Sequence, residues 1–272
     1  PAAIAYTSGT TGRPKGAVHS QHNLMWPGLV SIETHPPQPD ERQGTPLAHT
    51  ILNMLVLGVV SAHIRGTTGV ILHHTEAERF AADIARHQIT RTTVVPTIVH
   101  DLIHRDGIDP ASLASLDSVI VGGAGTPAPL RRAFVEKFGI RPIAGYGLSE
   151  APSGIVRESA DEPIDETAAG YPMAPFALSI RDDHGREVAP GEEGEICVAA
   201  TDTGPWAGCW TLTLGYWRRP DATADLLRDD VLHTGDIGAL DADGRLTIRG
   251  RGSELILRGG ANVYPVEVEA AL

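Results

Sequence analysis

The sequence predicts an α/β fold: a parallel sheet flanked by helices, followed by a small antiparallel, β-barrel-like subdomain. Three observations point to it. Strand-like and helix-like stretches alternate through residues 1–169, the pattern of a parallel sheet covered by helices. From about Gly170 the texture changes to short strands punctuated by turn glycines. Glycine turns at Gly122 and Gly145 each follow a strand directly, and ligands of open α/β sheets lie beyond the carboxyl ends of strands.

Taken in order, Ala2 to Tyr6 is a short apolar strand that runs into a polar loop. Ile51 to Ile64 is the longest apolar run. It falls short of the roughly 20 residues of a membrane span and contains Asn53 and His63, so it reads as a buried helix. Thr68 to Leu72 and Thr92 to Val95 are β-branched strands. Between them, Glu76 to His87 carries Phe80, Ile84 and Ala85 at helical spacing. Pro96 opens another helix in its tolerated first position. Ser118 to Val121 is a buried strand, Pro129 to Phe138 a helix and Arg141 to Ala144 the next strand. In residues 170–251, Ala177–Arg181, Gly194–Ala199, Val231–Thr234 and Arg245–Ile248 are short strands, with turns at Gly185, Gly191, Gly194 and Asp243-Gly244. Asp182 to Glu195 is acidic and turn-rich, a solvated surface hairpin.

Composition narrows the function. A net charge of −12 disfavours nucleic acid, which needs a basic face. It does not exclude a nucleotide, because remote charges are screened over about 8 Å at physiological salt. Cys197 and Cys209 are the only cysteines and fit two free thiols in a reducing cytosol, with a disulfide as the alternative. No Cys-x-x-Cys pair suggests zinc, and the expected location, from the two thiols, is cytoplasmic.

Tyr6-Thr7-Ser8-Gly9-Thr10-Thr11-Gly12-Arg13-Pro14-Lys15-Gly16 is the most informative segment. Glycines let backbone N–H groups turn toward an anion, hydroxyls add donors without bulk, and Lys15 supplies a full charge. A polar turn would use the same residue types. The nucleotide-kinase P-loop is a poorer match: Lys15 precedes Gly16, and Pro14 obstructs entry into a helix.

This string resembles the phosphate loop of the adenylate-forming superfamily: acyl-CoA synthetases, adenylation domains of peptide synthetases, and luciferases. Four further motifs follow in the family's order. Gly122-Gly123-Ala124-Gly125 resembles its adenine-contacting turn, and Gly145-Tyr146-Gly147-Leu148-Ser149-Glu150 its Tyr-Gly-x-Thr-Glu motif, with serine replacing threonine. Thr234-Gly235-Asp236 resembles its ribose-binding motif. Gly250-Arg251 through Gly259-Gly260-Ala261-Asn262-Val263-Tyr264-Pro265 resembles its hinge and the start of its small C-terminal domain. The resemblance covers essentially the whole chain. It implies part of the large N-terminal domain of an acyl-CoA synthetase-like fold: residues 1–169 the AMP-binding α/β part, 170–251 the β-rich part, 252–272 the hinge and first residues of the C-terminal domain. By the family's measure an N-terminal portion and the C-terminal catalytic lysine have no counterpart here, so the expectation is a fragment.

The implied reaction activates a carboxylic acid with ATP and Mg²⁺, releases pyrophosphate, and passes the acyl group to coenzyme A. Carried over residue by residue, Lys15 with Thr7, Ser8, Gly9, Thr10, Thr11 and Gly12 would hold the β- and γ-phosphates. Glu150 would bind Mg²⁺, and Ser149 would reach the α-phosphate. Gly123, Ala124, Gly125, Tyr146 and Gly147 would face adenine, with Tyr146 stacking on it. Asp236 would accept both ribose hydroxyls, Arg251 would contact ribose or phosphate, and Gly259 and Gly260 would line the pantetheine channel. Structural alternatives stand beside each role: a surface lysine for Lys15, a helix-start carboxylate for Glu150, an N-cap for Ser149 and core packing for Tyr146. For the rest they are an Asx turn for Asp236, a surface salt bridge for Arg251 and turn glycines at 259–260.

The hinge departs from the family, with Ser253 and Glu254 where Asp or Lys is usual. His100 and His104, spaced i and i+4, mimic a zinc pair but lack an intervening Glu and a third ligand, so one helix face explains them. His49 resembles the gate beside the acyl pocket, with a core histidine as the alternative. Thr50 to Asn53 offers no carboxylate for a substrate ammonium, which disfavours an amino acid and the peptide-synthetase reading. Ile51, Leu52, Ala151 and Ile155 fit an aliphatic or aromatic acid. A nucleotide-binding remnant without turnover is the other alternative for the isolated chain.

Overall fold

A computed structural model describes residues 1–7, 14–123, 125–165, 168–254, 256–258, 261–265 and 268, with backbone alone at 153, 253, 256–258 and 261–263. The chain forms two compact units, one of Gln21–Glu166 and one of Pro1–Ser20 with Thr167–Leu272.

Strands β1 (Ala3–Thr7) and β2 (Lys15–His19) form an antiparallel hairpin with Thr7 opposite Lys15. A distant extended segment continues it. The Val18 N–H donates to the Gly215 carbonyl, the Leu214 N–H to the Val18 carbonyl and the Trp217 N–H to the Gly16 carbonyl, each at 2.8 Å. The Thr213 hydroxyl donates to the Val18 carbonyl at 2.7 Å. These bonds place residues 1–20 with the second half of the chain, whereas the sequence boundaries grouped them with the α/β part.

The Gln21–Glu166 unit comprises α1 (Gln21–Thr34), β3 (Arg42–Thr45), α2 (Leu52–Met54), a π-helical turn Leu55–Val60, α3 (Ser61–Arg65) and β4 (Thr68–Ile71). It continues through α4 (Ala77–His87), β5 (Arg91–Val94), α5 (Pro96–His104), β6 (Ser118–Val121), α6 (Ala128–Phe138), β7 (Pro142–Leu148) and β8 (Ala151–Arg157). The strand order is β8-β7-β6-β5-β3-β4. Pairing is parallel from β4 to β7 and antiparallel between β7 and β8. Helix α4 buries Phe80, Ala81 and Ile84 on one face and stops at Gln88, whose left-handed φ of 50° ends the helix. Phe80, Ile84, Val99, Leu113, Val119 and Phe134 form the core beneath the sheet.

Buried ion pairs centred on Glu41 and Glu158 tie this unit together. Arg65 meets Glu41 through Nη2 at 2.6 Å and Nε at 2.9 Å, a forked geometry suited to guanidinium and carboxylate. Nearby, burial and then the Arg65 charge hold Arg91 down to about 10. The other pair joins Glu158 to Arg131 at 2.6 Å and to Arg141 at 3.1 Å.

In the other unit follow β9 (Ala168–Pro172), β10 (Phe176–Arg181), β11 (Gly194–Ala200), α7 (Pro220–Leu226), β12 (Leu227–Arg228), β13 (Val231–Leu240) and β14 (Leu246–Arg251). The order β10-β11-β13-β14-β9 is antiparallel throughout, with β12 on β13. A short hairpin, β15 (Ile256–Arg258) with β16 (Ala261–Val263), comes last. The expected surface turn is present: the Asp182 carboxylate accepts from the His184 and Arg186 N–H groups, each at 2.9 Å. Among the described residues no helix is long and apolar enough to cross a membrane.

Candidate functional site

The opening hairpin positions Lys15. Its backbone pairs with Thr7, whose hydroxyl donates to the Lys15 carbonyl at 3.5 Å. The ammonium lies 5.1 Å from the centroid of the Tyr216 ring, a cation–π contact that restrains a long side chain. Tyr216 itself bridges Ala17. The loop residues Ser8, Gly9, Thr10, Thr11 and Gly12 lie outside the described residues, as do Ala124, Gly259 and Gly260.

Asp236 stands on a bulge. In the β11–β13 pairing, Cys197 faces His233 and Glu195 faces Ile237, so Thr234, Gly235 and Asp236 stand opposite Ile196 alone. Gly235 takes a left-handed φ of 72°, which glycine adopts at little cost. The Thr234 hydroxyl donates to the Ile196 carbonyl at 2.7 Å and accepts the Asp236 N–H at 3.0 Å. The Thr234 hydroxyl thus bridges the two strands and caps the local turn. The Asp236 side chain is 10% exposed, and its Oδ1 lies 3.3 Å from Arg251 Nε on the facing strand. Asp236 and Arg251 are thus brought together, and the pairing predicted for Arg251 as a surface salt bridge has this carboxylate as its partner.

In the Gln21–Glu166 unit, β6 ends at Val121 and the glycine turn follows. Gly123 has φ 86°. A Cβ added at Gly122 or Gly123 would meet nothing closer than 3.9 or 3.8 Å, and one at Gly125 nothing within 4 Å. Packing does not require glycine here; at Gly123 the backbone conformation does.

The next motif needs correction. Gly145 was expected at a turn, but β7 continues through Gly145, Tyr146 and Gly147 to Leu148, because Gly145 and Tyr146 pair with Arg157 and Val156. Ser149 and Glu150 form the tip of the β7–β8 hairpin, with Leu148 facing Ala151. No helix begins there, so the N-cap and helix-start alternatives fall away. Glu150 is 9% exposed, and such burial of a carboxylate demands compensating partners or a cation. His49 is half-buried, and its Nε2 has no hydrogen-bond partner among the described residues. His100 and His104 are exposed and stack at 4.2 Å, in accord with one helix face.

Tyr216, Glu195 and His233 were not foreseen. Glu195, Cys197 and His233 place their ligand atoms within 4.8 Å of one another, a spacing that could hold a metal. A cation already occupies it: Arg228 Nη2 is 2.6 Å from His233 Nδ1 and 3.4 Å from Glu195 Oε2. Burial, then the Glu195 charge, push the Cys197 thiol up to about 12, so thiolate is scarce. The cluster is an ion-pair network.

Residues 1–217 match the family model described as AMP-binding enzyme. The chain is 36% identical over 282 residues to a feruloyl-CoA synthase of Amycolatopsis sp, covering 99% of this chain and 53% of that protein. It is 36% identical over 276 residues to an indoleacetate–CoA ligase of Aromatoleum aromaticum, covering 100% of this chain and 52% of that one. It therefore spans about half the length of these curated relatives. Among solved structures, the O-succinylbenzoate coenzyme A synthetase of Bacillus subtilis in complex with AMP superposes with a TM-score of 0.87 at 30% identity, covering 99% of this chain and 53% of that one. The same enzyme with ATP and magnesium ion gives 0.86 at 29%, covering 98% and 53%.

Proposed function

This chain belongs to the AMP-binding enzyme family, and from that premise we propose that the whole protein is an acid–CoA ligase: it activates a carboxylic acid with ATP to an acyl-adenylate and passes the acyl group to coenzyme A. In the first step a substrate carboxylate oxygen bonds to the α-phosphorus as the bridge to the β-phosphate breaks, and pyrophosphate leaves. In the second a thiol sulfur bonds to the acyl carbon and AMP leaves. Both steps need positioning and charge stabilisation more than covalent help from the protein.

The observation that carries the nucleotide half is the bulge at Thr234–Asp236. It takes a mostly buried carboxylate out of the β11 pairing while keeping it opposite Arg251 on β14, and an ionised carboxylate can accept two vicinal hydroxyls. Lys15, fixed by its hairpin and by Tyr216, takes the terminal phosphates together with the segment from Thr7 to Gly12. Tyr146, with Gly123, Ala124, Gly125 and Gly147, takes adenine; Ser149 takes the α-phosphate. Glu150 at its hairpin tip is a hard oxygen donor that fits Mg²⁺, which would neutralise phosphate charge when bound. Gly259 and Gly260 belong to the coenzyme A path.

For the acid, the relatives named above act on feruloyl, indoleacetyl and succinylbenzoyl acids. Thr50 to Asn53 lacks a carboxylate to pair an ammonium. An aromatic or aliphatic acid fits best, with the half-buried His49 as the gate beside its acyl pocket. The isolated 272-residue chain should bind nucleotide without turnover, because the family's C-terminal catalytic lysine has no counterpart in it.

The test is pyrophosphate release by the full-length protein with a panel of aryl and fatty acids, with and without coenzyme A. We expect release with at least one acid, and a thioester plus AMP only with coenzyme A. No release with any acid would overturn the ligase reading, and amino acids as the sole substrates would favour peptide-synthetase chemistry.

A further inference from the structure

We infer that Glu195 is a positioning residue for nucleotide recognition: its carboxylate holds the Thr234–Asp236 bulge in the shape that aims Asp236 at the ribose. The bulge has lost ladder bonds, since three residues stand opposite one. Two side-chain groups replace them. Thr234 spans the Ile196 carbonyl and the Asp236 N–H. Glu195 Oε1 accepts the N–H of Gly235, the left-handed residue at the apex, at 3.0 Å. The other oxygen, Oε2, is engaged by His233 Nδ1 at 2.7 Å and by Arg228 at 3.4 Å. That engagement turns the carboxylate so that Oε1 faces the apex. Glycine at this position has no side chain to restrain it, so a charge-assisted acceptor is the local means of fixing it. Glu195 touches no part of a bound ribose; it acts through the backbone that carries Asp236.

The inference rests on the ribose role of Asp236, and the experiment separates the two. Binding of ATP and of inorganic tripolyphosphate, which has no ribose, is measured by calorimetry for the wild-type chain, Glu195→Ala, Glu195→Gln and Asp236→Ala. Glu195→Ala should lose about tenfold in ATP affinity, the value of one hydrogen bond to a charged acceptor, and keep tripolyphosphate affinity. Glu195→Gln retains an oxygen for the Gly235 N–H and should stay within about twofold of wild type. If Glu195→Ala is not folded, Glu195→Asp, whose shorter side chain withdraws the carboxylate from the Gly235 N–H, carries the test, with the same selective loss of ATP. Wild-type ATP affinity in folded Glu195→Ala, or an equal loss of both ligands, while Asp236→Ala selectively loses ATP would overturn this inference alone. An Asp236→Ala variant with no selective loss would remove the ribose reading and this inference with it.

Discussion

Glu158→Ala should be among the most damaging substitutions in the Gln21–Glu166 unit. The Glu158 side chain is 1% exposed and meets Arg131, itself 3% exposed, at 2.6 Å. It also meets Arg141 at 3.1 Å and accepts the Ala144 N–H at 3.3 Å. Removing it leaves the Arg131 guanidinium buried with the Asp165 carbonyl at 2.6 Å but without the Glu158 carboxylate. Breaking one side of a buried pair costs about 3–5 kcal/mol, because the remaining charge stays out of water. Arg141, at 22% side-chain exposure, can turn toward solvent and adds little. With a urea slope of about 2 kcal/mol per molar, the midpoint of this unit should fall by about 1.5–2.5 M. The assay is urea unfolding followed by circular dichroism at pH 7. The double variant Arg131→Met with Glu158→Leu should recover much of the loss, since an apolar replacement needs no charge partner. Because Ala144 lies in β7 just before Tyr146, Glu158→Ala should weaken ATP binding as well. A midpoint shift below about 0.5 M would refute the reasoning, since it would mean that water reaches the Arg131 charge.

Two predictions concern titration. The Cys197 thiol, raised to about 12, should resist a thiol reagent at pH 8 in the folded chain and react once the chain is unfolded in urea; its contribution to stability is full below the ordinary thiol value of 9.0 and is lost as pH rises toward 12, and rapid labelling of Cys197 in the folded chain would contradict the burial. The Asp182 carboxyl is held down to about 2, first by the Arg186 N–H and then by the Arg186 side chain, so its turn is favoured above pH 3.8 and loses that support as pH falls toward 2. Nuclear magnetic resonance titration should find this depressed value and a return toward normal in Arg186→Ala; an ordinary value in the wild type would count against the turn.

Local patterns were legible where local physics set them. The α4 helix matches its apolar spacing, and Ser118–Val121 is the strand its β-branched run predicts. Strand β3 was not legible, because Arg42-Gln43-Gly44-Thr45 has no apolar side chain. It lies inside the sheet between β5 and β4, where Gly44 packs under Ile89, so that an added Cβ would come within 2.7 Å, and where Thr92 Oγ1 satisfies the Gly44 carbonyl at 3.1 Å. Helix α1, with Pro27 inside it, likewise lacked a local signal. The Gly145–Glu150 motif resembled a strand-to-turn junction; its real conformation is set by β8, which lies later in the chain. The same holds for the candidate site. Lys15 and Asp236 were visible by residue type and loop context, whereas Tyr216 and Glu195, which hold them, are joined only by tertiary pairing.

On this reading Lys15 recognises phosphate and Asp236 recognises ribose on one nucleoside triphosphate. Calorimetric titration of Lys15→Ala and Asp236→Ala with ATP and with tripolyphosphate tests it most directly. Lys15→Ala should lose about tenfold or more for both ligands, as a charge-assisted contact would, and Asp236→Ala should lose ATP affinity alone. Equal losses of both ligands in Asp236→Ala, or unchanged binding in Lys15→Ala, would contradict the account.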